Sequence, residues 1–267
     1  MNRAPLQNDL LIQGLTKRFA KQKPVMDFME EHLTGPRVCD LGCGNGIPLR
    51  YLAERHPDRM FVGVDHSTDI LGRNLAADRD NVLLVKGSLE EPLFAPGTMD
   101  TAIFNRSLHE VYSLTGEDGV KRALAAAADA LRPGGRVLVY ENVIASRRMV
   151  RMRFTDPEVS AVFDRFLGDY SIRPITFSRE TDDTIVIRED DALEFLTKYR
   201  DPDWESEMRE AHFIYTRQEW DGVVSSCGLR PYAIRSFDDR QILVTDGVQL
   251  GWEIADFKHV LVYELPR

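Results

Sequence analysis

Between residues 37 and 145 short apolar runs alternate with amphipathic, helix-length segments, and that alternation constrains the fold more than any other feature. "RVCDLG" is an apolar run ending in glycine. "IPLRYLAERHP" puts Leu49, Leu52 and Ala53 on one helical face and stops at Pro57. "MFVGVDHS" has the pattern of a buried strand, and a helical "TDILGRNLAAD" comes after it. "NVLLVKGS" and "MDTAIFNRS" are further strand-length runs. "GVKRALAAAADAL" is an alanine-rich amphipathic helix that "RPGG" separates from the strand "RVLVYENV". A chain built this way makes right-handed crossovers and a parallel sheet covered on both faces.

The alternation breaks at residue 146. The next seventy or so residues hold a basic run "RRMVRMR", a helical "PEVSAVFDRFLGDY", strand-like "RPITFS" and "DTIVIRE", and a charged helix "DDALEFLTKYR". No doubly wound unit produces that order. Alternation resumes at "TRQEWDGVVSSCGL", with Thr216 as N-cap, Glu219 as its capping-box partner and Gly228 as the stop. "RPYAIRSF" and "KHVLVYELP" read as closing strands. The expected organisation is an N-terminal helical segment over 1–36, a core over 37–145, an α+β cap insertion over 146–217 and completion of the sheet over 218–267. Segments inserted at strand ends build substrate sites, which gives the insertion its expected role.

A net charge of −9 over 267 residues argues against affinity gained by neutralising phosphates, so no nucleic-acid partner is expected. No window approaches the roughly 18 apolar residues of a membrane span, and "MNRAPLQNDL" lacks a secretory leader's apolar stretch. Three cysteines, Cys39, Cys43 and Cys227, suit a reducing compartment, and the expectation is a cytoplasmic protein. Cys39 and Cys43 lack a second Cys/His pair at zinc spacing and read as small buried hydrophobes, so no metal is expected.

The stretch "DLGCGNGIP" carries Gly42, Gly44 and Gly46 in G-x-G-x-G spacing. A dinucleotide turn would require glycine at position 47, where Ile47 stands, and no Gly-Lys-Ser/Thr ending marks a phosphate loop. Asp40 ends the first strand, and Asp65 ends the second, nineteen residues after Gly46. A carboxylate there can accept from both hydroxyls of a ribose. The lesser alternative is a cap on the next helix with no ligand. The loop and the acid together suit a nucleoside without phosphates.

"VCDLGCGNG", "VGVDHS", "MDTAIFNRSLHEV" and "LRPGGRVLVYE", in that order, resemble the class I S-adenosylmethionine-dependent methyltransferases. The resemblance covers about 37–145 and the closing strands but not the insertion. It implies a Rossmann-like, doubly wound seven-stranded sheet whose last strand is antiparallel, with S-adenosylmethionine across the ends of the first, second and fourth strands. Gly42, Gly44 and Gly46, with Cys43 among them, would line its methionine and ribose portion. Asp40 would sit near the amino end, Asp65 on the ribose hydroxyls, and His66 and Ser67 beside the adenine. Ser88 and Leu89 stand where the family often has an acid reaching the adenine amino group; Ser88 reads equally well as a turn residue. Asn105 and Arg106 would face the methionine end. The N-terminal "DLLIQGLTKRFAKQKPVMDFMEEHL" resembles helices that fold over the cofactor, or else packs on the sheet.

In "NRSLHEVYS", where the family places acceptor-facing residues, His109 is the candidate general base and Glu110 its neighbour, able to orient an acceptor amine. His109 could instead cap or pack the helix. Within the insertion, Arg147, Arg148 and Arg151 would share one helical face, as an anion site or a solvated, acid-paired surface. Tyr170, Arg173, Arg179, His212 and Tyr215 could be turned inward by a cap. The expected activity is methyl transfer to a small-molecule substrate beneath the insertion, which could also mediate a homodimer. Two alternatives stand beside it: intramolecular cyclisation of the cofactor with release of 5′-methylthioadenosine, and a non-catalytic S-adenosylmethionine-binding protein.

Overall fold

The computed structural model describes residues 22–238 and 243–267. The core begins with helix α1 over 22–31, β1 (Arg37–Leu41), α2 (Ile47–Arg55), β2 (Met60–Asp65), α3 (Thr68–Leu71) and β3 (Val82–Lys86). It continues with β4 (Met99–Asn105), α4 (Leu108–Ala130) and β5 (Leu131–Ile144). The insertion supplies β6 (Met149–Phe154), α5 (Pro157–Asp169), β7 (Phe177–Arg179), β8 (Thr184–Arg188), α6 (Glu189–Lys198), α7 (Trp204–Glu207) and β9 (Tyr215–Thr216). The chain closes with α8 (Arg217–Ser226), β10 (Arg230–Phe237), β11 (Val248–Leu250) and β12 (Lys258–Glu264).

The main sheet has the order β10-β12-β5-β4-β1-β2-β3, and the short β9 adds itself beside β5. β3, β2, β1, β4 and β5 pair in parallel; β12 runs antiparallel to both β5 and β10. This is the mostly parallel, helix-covered sheet that the alternation implies. Its centre is dry: Val38, Cys39, Ala102 and Phe104 are fully buried. Helices cover both faces, so the central strands read as unbroken apolar runs rather than alternating ones. The alanines of α4 (Ala123, Ala127, Ala128) bring that helix close against the sheet. On the other face α1 contributes Val25, Met26 and Met29 to the core, so this part of the N-terminal segment packs on the sheet; residues 1–21 lie outside the described residues.

Three local expectations are corrected. "TDILGRNLAAD" forms only the single turn of α3, because Asn74 turns back to the glycine loop and donates from Nδ2 to the Gly44 carbonyl at 2.8 Å. "RRMVRMR" is no helical face. Val150, Met152 and Phe154 alternate with exposed Met149, Arg151 and Arg153 as strand β6, a period of two that four closely spaced arginines concealed. Its charges are paired: Arg147 with Asp190 and Glu219, Arg148 with Glu189, Arg151 with Glu180. Finally, β11 crosses to the second sheet, β11-β6-β8-β7, so the segment expected only to complete the main sheet also builds the insertion. The Thr216–Glu219 capping box starts α8 as its sequence requires, and Gly228 lies just past its end at φ 79°.

Candidate active site

The glycine loop leaves β1 and is tied to β2. Gly42 and Cys43 both donate their N–H to the Val64 carbonyl at 2.9 Å. Asp65, buried at the end of β2, accepts the Gly44 N–H on Oδ2 at 3.1 Å and the Ser67 N–H on Oδ1 at 2.9 Å. Each carboxylate oxygen keeps a lone pair for a further donor. Gly42, Gly44 and Gly46 take φ values of 86°, 51° and 76°, which a side chain would resist.

A cavity of about 250 Å³ opens in front of this loop. Of the cofactor candidates, Gly42, Asp65, His66, Ser88 and Leu89 line it, together with Glu90, Ser107, Glu110, Val111 and Leu114. The remaining cofactor candidates do not line it. The Cys43 side chain turns into the core beneath α2, where Asn74 Nδ2 lies 3.5 Å from its sulfur. Gly46 serves the turn into α2, and a Cβ there would lie 2.0 Å from Asn74 Oδ1. Asn105, at the end of β4, and Arg106, just past it, are half-buried. Arg106 is the non-glycine residue with positive φ among the described residues, at 58°.

Asp40 lies behind the loop, 3% exposed, and its Oδ1 has no hydrogen-bond partner among the described residues. Burial, then the nearby Asp65 carboxylate, push its carboxyl up to about 7. An orphaned buried carboxylate oxygen next to glycine backbone is the donor set expected for a cationic amino end. Gly44 adds open space, since nothing would lie within 4 Å of a Cβ built there. The residues present therefore fit S-adenosylmethionine.

His109 is not a free base. It is 3% exposed at the start of α4, with Nδ1 2.7 Å from Glu141 Oε2 and Nε2 2.9 Å from Glu210 Oε1. Burial alone would lower its pKa, but the charge and hydrogen bond of Glu141, joined by Glu210, raise it to about 9. Glu110 is exposed at the cavity mouth. Partial desolvation and the carboxylates of Glu210, Glu141 and Asp65 lift its carboxyl above the usual range, against the opposing charge of His109.

A second cavity of about 420 Å³ lies between α4 and the insertion, lined by Glu110, Ser113, Leu114, Asp203, Glu205, Ser206, Arg209 and Glu210. Its wall shares Glu110 and Leu114 with the first. Of the five inward candidates in the insertion, His212 brings its ring to the Glu207 and Glu210 carboxylates beside this cavity. Its Nε2 lies 3.2 Å from Glu207 Oε2, and burial with the charges of Lys198, His109 and Arg106 push its pKa down to about 2. Arg173 instead pairs with Asp190 and Asp191, and Arg179 with Asp164. Tyr170 belongs to the core of the insertion and Tyr215 to β9.

His109, Glu110 and Glu210, and likewise Glu207, Glu210 and His212, bring ligand-type atoms within 4.8 Å of one another. The His109 imidazolium lies 2.9 Å from Glu210 and the buried Lys198 3.1 Å from Glu207, so two of these carboxylates already have a cation beside them in a hydrogen-bonded ion network. Sequence reasoning missed Glu141 and Glu210. Glu141 carried a signal, an acid at the end of the apolar run "RVLVYE"; Glu210 sits in the charged "WESEMRE" with nothing to single it out.

Residues 38–135 match the family model described as "Methyltransferase domain". A tRNA (carboxymethyluridine(34)-5-O)-methyltransferase of Arabidopsis thaliana is 32% identical over 122 residues, 46% of this chain and 28% of the relative. A trans-aconitate 2-methyltransferase of Deinococcus radiodurans is 31% identical over 103 residues, 39% of this chain and 36% of the relative. The chain thus spans about a third or less of the length of these relatives. A solved structure of Burkholderia thailandensis 1,6-didemethyltoxoflavin-N1-methyltransferase, with 1,6-didemethyltoxoflavin and S-adenosylhomocysteine bound, matches all of this chain and 92% of its own, with TM-score 0.55 and 15% identity. A Haloferax volcanii methyltransferase in complex with the activator Trm112 matches at TM-score 0.55 and 14% identity over the whole of both chains. These two share the fold. Residues 38–135 are a class I S-adenosylmethionine-dependent methyltransferase domain. Its cofactor is S-adenosylmethionine.

Proposed function

We propose that the protein transfers a methyl group from S-adenosylmethionine to a small-molecule acceptor held between α4 and the insertion. The observation that carries this reading is the wall common to the two cavities, formed by Glu110 and Leu114. A cofactor on the loop side and an acceptor on the insertion side would meet there. The sulfonium supplies an already electrophilic methyl, so the chain's task is chiefly positioning, which can lower a barrier by about 7–11 kcal/mol in favourable cases.

Asp65 would take the ribose hydroxyls and Asp40 the amino end, with Ser88 and Leu89 along the adenine side. Glu110 would orient the acceptor and take its proton, and its raised carboxyl pKa suits it to that step. The charge of the acceptor cavity supports a small molecule over a nucleic acid. Glu110, Asp203, Glu205 and Glu210 face it, and its one arginine, Arg209, is paired with Glu205. Phosphates would meet repulsion there.

The test is a mass-spectrometric assay for S-adenosylhomocysteine with the full chain, the cofactor and either a small-molecule fraction or bulk tRNA. Turnover with the small-molecule fraction is expected. Salt-sensitive methylation of tRNA would overturn the acceptor class, and 5′-methylthioadenosine formed without any acceptor would replace methyl transfer by cyclisation.

A further inference from the structure

The contact that joins the loop side to the insertion side is buried and charged. Glu141 lies in β5 with its side chain 2% exposed. Its Oε1 accepts the N–H groups of Leu108 and His109 at 2.9 and 3.3 Å, while Oε2 meets His109 Nδ1. The other ring nitrogen meets Glu210, which walls the acceptor cavity. On the loop side, Ser107 Oγ donates to the Leu41 carbonyl at 2.6 Å, and a Cβ on Gly42 would lie 2.4 Å from Ser107 Cβ. A packed path therefore runs from the glycine loop through the first turn of α4 to the acceptor wall.

A buried carboxylate costs more to desolvate than a single neighbour returns, and Glu141 spends its acceptors on one turn of helix and one ring. With a carboxylate at each nitrogen, the ring cannot rotate without losing both contacts. Its other charged neighbours are Arg106, just past β4, and the adjacent Glu110; His212, from the insertion, meets it edge to face with centroids 6.1 Å apart.

We propose that Glu141 and His109 are positioning residues: through the His109 ring they fix the Glu210 carboxylate on the acceptor wall and couple that wall to the cofactor side. The inference rests on the acceptor-cavity reading under Proposed function. Glu141 touches neither cavity and acts through His109.

Hydrogen–deuterium exchange of the full chain, with and without S-adenosylhomocysteine, tests it in the wild type, Glu141→Gln and Glu210→Gln. S-adenosylhomocysteine should slow exchange across residues 203–212 about fivefold or more in the wild type and less than about twofold in either variant, a coupling of ordinary size. Calorimetric affinity for S-adenosylhomocysteine should stay within about threefold, because the ribose and amino-end contacts are intact. Nitrogen-15 spectra should show both His109 ring nitrogens protonated at neutral pH, and Glu210→Gln should lower that ring's pKa, a signature that general destabilisation would not produce. Glu210 is partly exposed, so its variant folds even where Glu141→Gln does not. Wild-type protection confined to the loop side, or full protection retained in Glu210→Gln, would overturn the coupling while leaving the cofactor assignment standing. Failure of S-adenosylhomocysteine to bind the wild type would take the cofactor-site reading down as well.

Discussion

Glu141 holds His109 at two points, by the ring at 2.7 Å and by the backbone N–H at 3.3 Å. A group held this way is tied to its proton. Although burial opposes the charge, the two carboxylates set the folded pKa at about 9, above the ordinary value. The resulting stabilisation is complete below about pH 6.5 and is lost as pH rises through 9, and the shift corresponds to about 3 kcal/mol. Urea melts of His109→Gln should lose stability of that order at about pH 6.5, and their decline from about pH 6.5 to 9 should be flatter than the wild type's. A wild-type stability profile that stays level across that range would show that His109 is neutral.

Asp40 responds in the opposite sense. Burial and Asp65 hold its carboxyl near 7, so near neutral pH about half the free protein carries it protonated. A bound ammonium group would favour the ionised form. Affinity for S-adenosylhomocysteine should therefore fall as pH drops below 7, approaching about tenfold per unit. Asp40→Asn should remove that dependence and weaken binding about 10- to 100-fold at pH 8. Calorimetry at three pH values checks both, and a pH-independent wild type would remove Asp40 from the amino end.

Asp65 has a different dual role. It pins Gly44 and Ser67 and still offers lone pairs to the cavity. Asp65→Asn keeps an acceptor for only one of the two backbone N–H groups, so a melt should lose about 1 kcal/mol, while S-adenosylhomocysteine affinity drops further, by about 1.5–3 kcal/mol. Equal losses in melting and binding would identify Asp65 as a loop anchor only.

The sheet was legible because its signal is local and repeated: a buried parallel strand needs an unbroken apolar run, and each was succeeded by a helix or turn. The loop side of the site was legible for the same reason, since Gly42 and Asp65 occupy strand ends that the topology brings together. The acceptor side was not. Glu210 reaches His109 across about a hundred residues of chain, through an insertion whose second sheet borrows β11 from near the C-terminus. No periodicity encodes such a contact. The general-base reading of His109 meets the same obstacle, because a histidine's chemistry depends on partners that sequence spacing does not show.

Two of the loop glycines, Gly42 and Gly44, look alike in sequence but should fail in different ways when replaced. At Gly42, with φ 86°, an added methyl would meet Ser107 Cβ at 2.4 Å, and Ser107 is held by its bond to Leu41. Gly42→Ala should therefore strain the backbone and push on the start of α4, costing about 2–4 kcal/mol in a denaturant melt. At Gly44, with φ 51°, the added methyl would meet nothing. Its stability cost is the left-handed backbone alone, about 1–2 kcal/mol. If the open space in front of Gly44 is where the cofactor passes, Gly44→Ala should still weaken S-adenosylhomocysteine by about tenfold or more, since close backbone approach is what glycine permits there. Gly44→Ala that keeps wild-type affinity would mean that this glycine serves only the turn, and that the cofactor lies nearer Gly42 and Ser107.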